Sequence, residues 1–140
     1  MTKIILVEDD PDDVYFFKSA CGALKPDTNI IVLNDGQELI HYLENNDCRD
    51  SVILLDLNMP KLGGLDVLEI LNENDSVNEL VIVTYTTSSS DSDVKAAYQL
   101  GVKSYLTKPD SAKELNELIA TLTSYWFKFC RFPKKGKKHA

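Results

Sequence analysis

The sequence predicts an α/β domain, a parallel sheet of five strands with helices on both faces. Three observations carry that expectation. Five short apolar runs recur along the chain, helical patterns fill the intervals, and capping residues mark where helices begin. KIILV (3–7) is the first run, and NIIVL (29–33), VILLDL (52–57), LVIVTYT (80–86) and SYLT (104–107) follow. They are rich in β-branched residues and nearly continuous, as strands buried on both faces should be.

The helices follow in order. Val14, Phe17, Cys21 and Leu24 recur at helical spacing, with Asp10 placed to cap and Pro11 at the first helical position. Asp35 and Glu38 form a capping-box pattern ahead of Leu39, Ile40 and Leu43. Leu65, Leu68 and Leu71 make the third stripe, and Val94, Ala97 and Tyr98 the fourth. Ser111 and Glu114 form a second capping box before the clearest stripe, Leu115, Leu118, Ile119, Leu122 and Tyr125. Strand–helix alternation of this kind implies right-handed crossovers and one parallel sheet. The expected organisation is one domain over residues 1–128 and an aromatic, basic tail over 129–140.

Composition narrows the function classes. With 140 residues, 44% hydrophobic and 26% charged, the chain has the make-up of a globular domain with a proper core. No apolar run approaches the roughly 20 residues that span a bilayer, and MTKIILVED is too short and too acidic for a signal peptide. Cys21, Cys48 and Cys130 are odd in number and lack metal-site spacing, which suits a reduced cytoplasm. Six of the 15 basic residues lie from Lys128 onward, and none of the 22 acidic ones does. The body is therefore more negative than the net −7 of the whole chain and would repel nucleic acid. The KKGKK tail reads as a solvated, frayed end.

In open parallel sheets, ligands bind beyond the carboxyl ends of the strands. Here those ends carry Glu8, Asp9 and Asp10; Asp56, Leu57 and Asn58; Thr86, Thr87 and Ser88; and Lys108 with Pro109. Asp10 is explained as a helix cap, and serines or threonines before a helix commonly cap too. Asp56 has no such explanation, because it ends an apolar strand and is not placed to cap. Converging carboxylates repel and raise one another's pKa values unless a cation intervenes. Magnesium suits such a site, since it takes oxygen ligands and keeps several waters. Lys108 offers a point charge and Thr86 a hydroxyl to a phosphoryl oxygen. Together these are the parts needed to phosphorylate a carboxylate: nucleophile, metal clamp and charge-stabilising donors.

The acidic pair Glu8 and Asp9, Asp56 after its apolar run, Thr86, and Lys108 with Pro109 resemble the receiver domain of two-component response regulators. The gaps from Asp56 to Thr86 and on to Lys108, 30 and 22 residues, resemble the family's spacing. The resemblance covers about residues 3–127 and implies a flavodoxin-like doubly wound (βα)5 fold, strand order 2-1-3-4-5. It implies that Asp56 accepts a phosphoryl group from a histidine kinase or phosphotransfer protein. Asp9, Asp56 and the Asn58 backbone carbonyl would hold Mg2+, with Glu8 acting through water or as a weaker ligand. Lys108 would pair with the acids and then with phosphate, Thr86 would turn toward the phosphoryl oxygens, and Tyr105 would follow as the switch aromatic. It also implies a cis Lys108–Pro109 bond. Gly63 stands where many relatives carry aspartate, and Asp10, Asp12 and Asp13 read as stabilisers of a helix N-terminus.

TTSSSDSD before the fourth helix, the YWFKF end and the lack of an effector domain resemble single-domain regulators associated with bacterial phytochrome kinases. Phosphorylation-independent binding is the alternative, against which the retention of Asp56, Thr86 and Lys108 argues. An aspartate-nucleophile phosphatase would want an acid where Asn58 stands, and EDDPDD would repel the phosphate of a flavin. A homodimer through the fourth helix, fifth strand, fifth helix and aromatic end is also expected. Tyr125, Trp126, Phe127, Phe129 and Phe132 are too many aromatics for one helix face to bury. The competing expectation is that they fold back onto the domain's own core.

Overall fold

All five apolar runs form strands in the computed structural model, which describes residues 3–133. The order is β1 (Lys3–Val7), α1 (Pro11–Leu24), β2 (Asn29–Leu33), α2 (Gly36–Asn45), β3 (Val52–Leu55) and α3 (Gly64–Glu73). A 3-10 turn (Ser76–Glu79) leads to β4 (Val81–Thr86), α4 (Asp91–Gln99), β5 (Ser104–Thr107) and α5 (Ala112–Thr123). Every pairing is parallel and the strand order is β2-β1-β3-β4-β5, the flavodoxin-like arrangement.

Alternation along the strands divides the core in two. Ile5, Val7, Ile53, Leu55 and Ile82 join Leu39, Leu68, Leu71 and Ala97 on the face covered by α2, α3 and α4. Ile4, Leu6, Leu54, Val83 and Tyr85 join Phe17, Cys21, Leu115 and Ile119 on the face covered by α1 and α5. The period-two pattern thus fills both faces of one sheet, which is why the runs carry almost no polar residues. The caps form as read. Asp10 accepts the Asp12 N–H, Asp35 the Glu38 N–H and Ser111 the Glu114 N–H.

Several stripe residues lie further out than the sequence predicts. Tyr98 and Leu24, each part of an inward stripe by spacing, are exposed. Strands β3 and β4 are shorter than their apolar runs. Leu80 closes the 3-10 turn, with its N–H bonded to the Val77 carbonyl. After Asp56, whose N–H still reaches the Val7 carbonyl at 3.2 Å, the chain turns away.

The end of α5 departs most from expectation. The Thr123 hydroxyl donates to the Ile119 carbonyl at 2.7 Å and approaches that of Ala120 at 3.3 Å, a back-bonding that bends helices. The helix then widens into a π-helical turn over Ser124–Phe129. Trp126 and Phe127, together with Phe132, pack back on the α1–α5 core, Phe132 stacking on Phe127 at 5.6 Å. Tyr125 and Phe129, one turn apart, stay exposed. The fold-back expectation therefore holds for three of the five aromatics. The lysines of the KKGKK tail lie outside the described residues.

Candidate functional site

The same alternation that builds the core also sorts the rim. Glu8 continues the row of Ile4 and Leu6, Asp56 that of Val52 and Leu54, and Lys108 that of Leu106, so all three belong to the α1–α5 side. Thr86 follows Ile82 and Thr84 on the opposite side, where Tyr105 packs against the α2–α3–α4 core. The Lys108 N–H bonds the Thr86 carbonyl at 2.8 Å, fixing the end of β5 against that of β4.

On the α1–α5 side the charges meet. Lys108 Nζ lies 3.2 Å from Asp56 Oδ2, 2.8 Å from Asp13 Oδ2, and in close contact with Glu8 Oε1. It also sits 5.9 Å from the centre of the Tyr85 ring, a cation–π distance. Burial alone would lower the Lys108 pKa, but the close contacts with Asp13 and Glu8 and the Asp56 charge outweigh it, and the ammonium titrates above its usual range. Burial pushes Glu8 up to about 7 and the Asp56 charge adds to this, while the Lys108 contact and the Asp10 N–H work against it. Burial likewise raises the Tyr85 phenol to about 12.

Glu8, Asp9 and Asp56 each bring a carboxylate oxygen within 4.8 Å of the others, and Asp9 alone of the three is exposed. Asp56 Oδ1 accepts the Asn58 N–H at 3.2 Å, and Glu8 Oε2 the Asp10 N–H at 3.2 Å. Glu8 Oε1 has the lysine contact but no aligned hydrogen bond, an uncommon condition for a buried oxygen. One lysine against this many acids leaves a surplus of negative charge on hard oxygen donors. That donor set fits a divalent cation of the magnesium or manganese type.

Gly64 keeps the Asp56 backbone in place, since a Cβ there would collide with the Asp56 carbonyl oxygen. On the far side, Thr86 is fully buried and its Oγ1 accepts the Ser88 N–H at 3.4 Å. The Tyr105 hydroxyl donates to the Ser88 carbonyl at 2.8 Å, and Ser88 Oγ donates to Asp93 Oδ2 at 2.6 Å. Tyr105 is thus turned inward beneath the loop that precedes α4.

Of the residues the sequence singles out, Glu8, Asp9, Asp56, Asn58 and Lys108 come together at this rim, while Thr86 and Tyr105 meet at Ser88 on the other side of the sheet. Sequence reasoning missed the role of Asp13. Its place in the first turn of α1 suggests only a helix stabiliser, yet it grips Lys108. The signal was present, because Asp13 precedes Phe17 by four residues and Cys21 by eight, placing an acid on the inward row of α1. The expected cis Lys108–Pro109 bond is not found. It is trans, as is every peptide bond among the described residues, the isomer X–Pro bonds ordinarily favour by about 0.5–1 kcal/mol.

This arrangement of acids, lysine and threonine at the carboxyl rim of a 2-1-3-4-5 sheet has known counterparts. The family model for the response regulator receiver domain matches residues 4–120, and the chain belongs to that family. It is 33% identical to Response regulator Rcp1 of Synechocystis over 135 residues, covering 93% of this chain and 92% of Rcp1. The crystal structure of Mn2+-bound Rcp1 matches with a TM-score of 0.82 and 32% identity, covering 96% of this chain and 100% of that one. Phosphorylated RcpA, a cyanobacterial phytochrome response regulator, matches with a TM-score of 0.84 at 28% identity, covering 95% and 99%. RPA3017, a response regulator in red light signalling of R. palustris, gives 0.85 at 25%, covering 96% and 100%. The protein is a response regulator receiver homologous to phospho-accepting, single-domain regulators. Among the described residues no helix is long and apolar enough to cross a membrane.

Proposed function

We propose that Asp56 is the phosphoryl acceptor of a cytoplasmic signalling switch that receives its phosphoryl group from a sensor histidine kinase or a phosphotransfer protein. The similarity to RcpA and RPA3017 favours a kinase of the phytochrome type. The observation that carries the reading is the placement of Lys108 against Asp56, Glu8 and Asp13 beside a three-carboxylate cluster.

In the step proposed, an Asp56 carboxylate oxygen attacks the phosphorus of a phosphohistidine. A P–O bond forms as the P–N bond breaks, and the electron pair leaves on the imidazole nitrogen, which takes up a proton from its surroundings. A carboxylate nucleophile has no proton to give up as it attacks, so no base is needed. Mg2+ held by Asp9, Asp56 and the Asn58 carbonyl, with Glu8 directly or through water, would offset the carboxylate charge and stabilise the phosphoryl oxygens. Lys108 then leaves the acids for a phosphoryl oxygen and Thr86 donates its hydroxyl to another. The same groups serve the chain's own phosphorylation by small donors and its dephosphorylation. Because Thr86 and Tyr105 both engage Ser88, movement of Thr86 biases the loop before α4 between two states.

The output face is α4, β5 and α5, where a second copy docks. Tyr98, Tyr125 and Phe129 are exposed there, and an open groove of about 750 Å3 is lined by Leu106, Leu118, Leu122, Tyr125 and Trp126. One experiment tests both parts: phosphoramidate with Mg2+, read by intact mass and by sedimentation. The expected outcome is one added phosphoryl group, lost in Asp56→Asn, and a dimer that Tyr125→Ser with Phe129→Ser dissociates. Undiminished labelling of Asp56→Asn overturns the acceptor; a monomer at high concentration in both states overturns the dimer.

A further inference from the structure

Lys108 has more partners than its proposed chemistry requires. Glu8 and Asp56 belong to the three-carboxylate cluster, so a cation there competes directly with the ammonium for the same oxygens. Asp13 does not belong to that cluster. It reaches Lys108 from the first turn of α1, and its Oδ2 holds Nζ at 2.8 Å, nearer than Asp56 at 3.2 Å though not as near as Glu8. The Tyr85 ring stands against the same ammonium and is itself held edge-on by Phe17 at 5.8 Å. Asp13 and Tyr85 both line a cavity of about 450 Å3 between α1 and the start of α5, into which Lys108 extends.

We infer that Asp13 is a positioning residue that draws Lys108 off Glu8 and Asp56, and so keeps the two buried carboxylates available to a divalent cation. The inference rests on the cation reading proposed above. An ammonium shared among three acids is divided between an inner seat, on the metal oxygens, and an outer seat on Asp13. Removing the outer seat sends the whole charge inward. Metal must then displace a more firmly held lysine, and its affinity falls. Asp13 is partly exposed, stands outside the three-carboxylate group and is bonded to Lys108, so its effect on the metal runs through Lys108.

The test is a double-mutant cycle on the full chain, with Mn2+ and then Mg2+ titrated by calorimetry and no phosphodonor present. Asp13→Asn keeps the shape and an acceptor oxygen while removing the charge. It is expected to weaken cation binding about threefold to fivefold, the scale of a partly exposed ion pair. Asp13→Glu restores the charge and is expected to recover most of the loss. In a Lys108→Gln background, Asp13→Asn is expected to change the affinity by less than about twofold, because the charge it redirects is gone. An equal loss in both backgrounds would mean that Asp13 acts on the cation directly, and would overturn the inference. Unchanged affinity in the single variant overturns it as well, while leaving the phosphoryl-acceptor reading intact. Absence of cation binding by the unaltered chain overturns both. Thermal melts of each variant separate a folding defect from a loss of affinity, and Asp13→Glu carries the test if Asp13→Asn melts early.

Discussion

The two faces of the sheet are built from the same strands but hold different kinds of parts. On the α1–α5 face, Glu8, Asp13, Asp56 and Lys108 form a closed set of ion pairs, with the Tyr85 ring against Lys108 and Phe17 edge-on to Tyr85. On the α2–α3–α4 face, Thr86 and Tyr105 meet only through the loop at Ser88, and Thr84 carries a buried hydroxyl with no partner. The rim of one face therefore holds charges in fixed places, and the rim of the other joins Thr86 and Tyr105 through single hydrogen bonds to Ser88. A chemical site gains from the first arrangement, since preorganised charges need no rearrangement at the moment of reaction. A switch gains from the second, because elements that move are drawn from the less stable part of a fold.

A core cavity on each face gives the largest effect by which to break this comparison. Phe17 is fully buried against Tyr85, and Phe17→Ala is expected to cost about 3–5 kcal/mol in urea unfolding. Because Tyr85 stands against Lys108, the same variant is expected to slow phosphorylation by small donors several-fold. Leu71→Ala opens a comparable cavity in α3, at about 2–5 kcal/mol, and is expected to leave that rate within about twofold. Equal slowing by both would erase the distinction between the faces.

Much of this division was legible in the sequence. Period-two alternation assigns Glu8, Asp56 and Lys108 to one side and Thr86 to the other once the strands are fixed. The capping patterns at Asp10, Asp35 and Ser111 set the start of three helices. Other features depend on contacts that no local pattern encodes. Asp13 as a lysine partner requires the first turn of α1 to reach the residue that follows β5, a contact 95 residues apart in the chain. The inward turn of Trp126 and Phe127 depends on a π-helical turn after Thr123, which a 3.6-residue period cannot anticipate. Asp56 was conspicuous because an acid closing an apolar strand conflicts with burial, and such conflicts mark functional sites.

A smaller effect separates sensing from chemistry. Thr86→Ala removes a hydroxyl that the structure ties to Ser88 and not to the ion-pair set. Phosphorylation of Asp56 is expected to proceed within a few-fold of the unaltered rate. The response that follows it is expected to weaken, read as the change in Trp126 fluorescence or in sedimentation on adding phosphodonor. A full response in Thr86→Ala would remove Thr86 from the coupling and leave Tyr105 to act alone.

The smallest expected effect concerns Thr84, one turn of the pleat below Thr86 on the same face. It pairs in register with Leu55 and Tyr105, is fully buried, and its Oγ1 finds no hydrogen-bond partner among the described residues. An unsatisfied buried hydroxyl carries a desolvation penalty of about 1–3 kcal/mol. Valine has nearly the same shape and no hydroxyl, so Thr84→Val is expected to raise stability by about 1 kcal/mol with an unchanged urea m-value. The matching substitution on the other face, Thr123→Val, removes a hydroxyl bonded at 2.7 Å and is expected to lower stability by a similar amount. Opposite signs for two threonine-to-valine changes would tie the looseness of the switching face to one atom. A loss of stability in Thr84→Val would mean that the hydroxyl is satisfied after all, and that the two faces differ in their charges but not in how well their polar groups are paired.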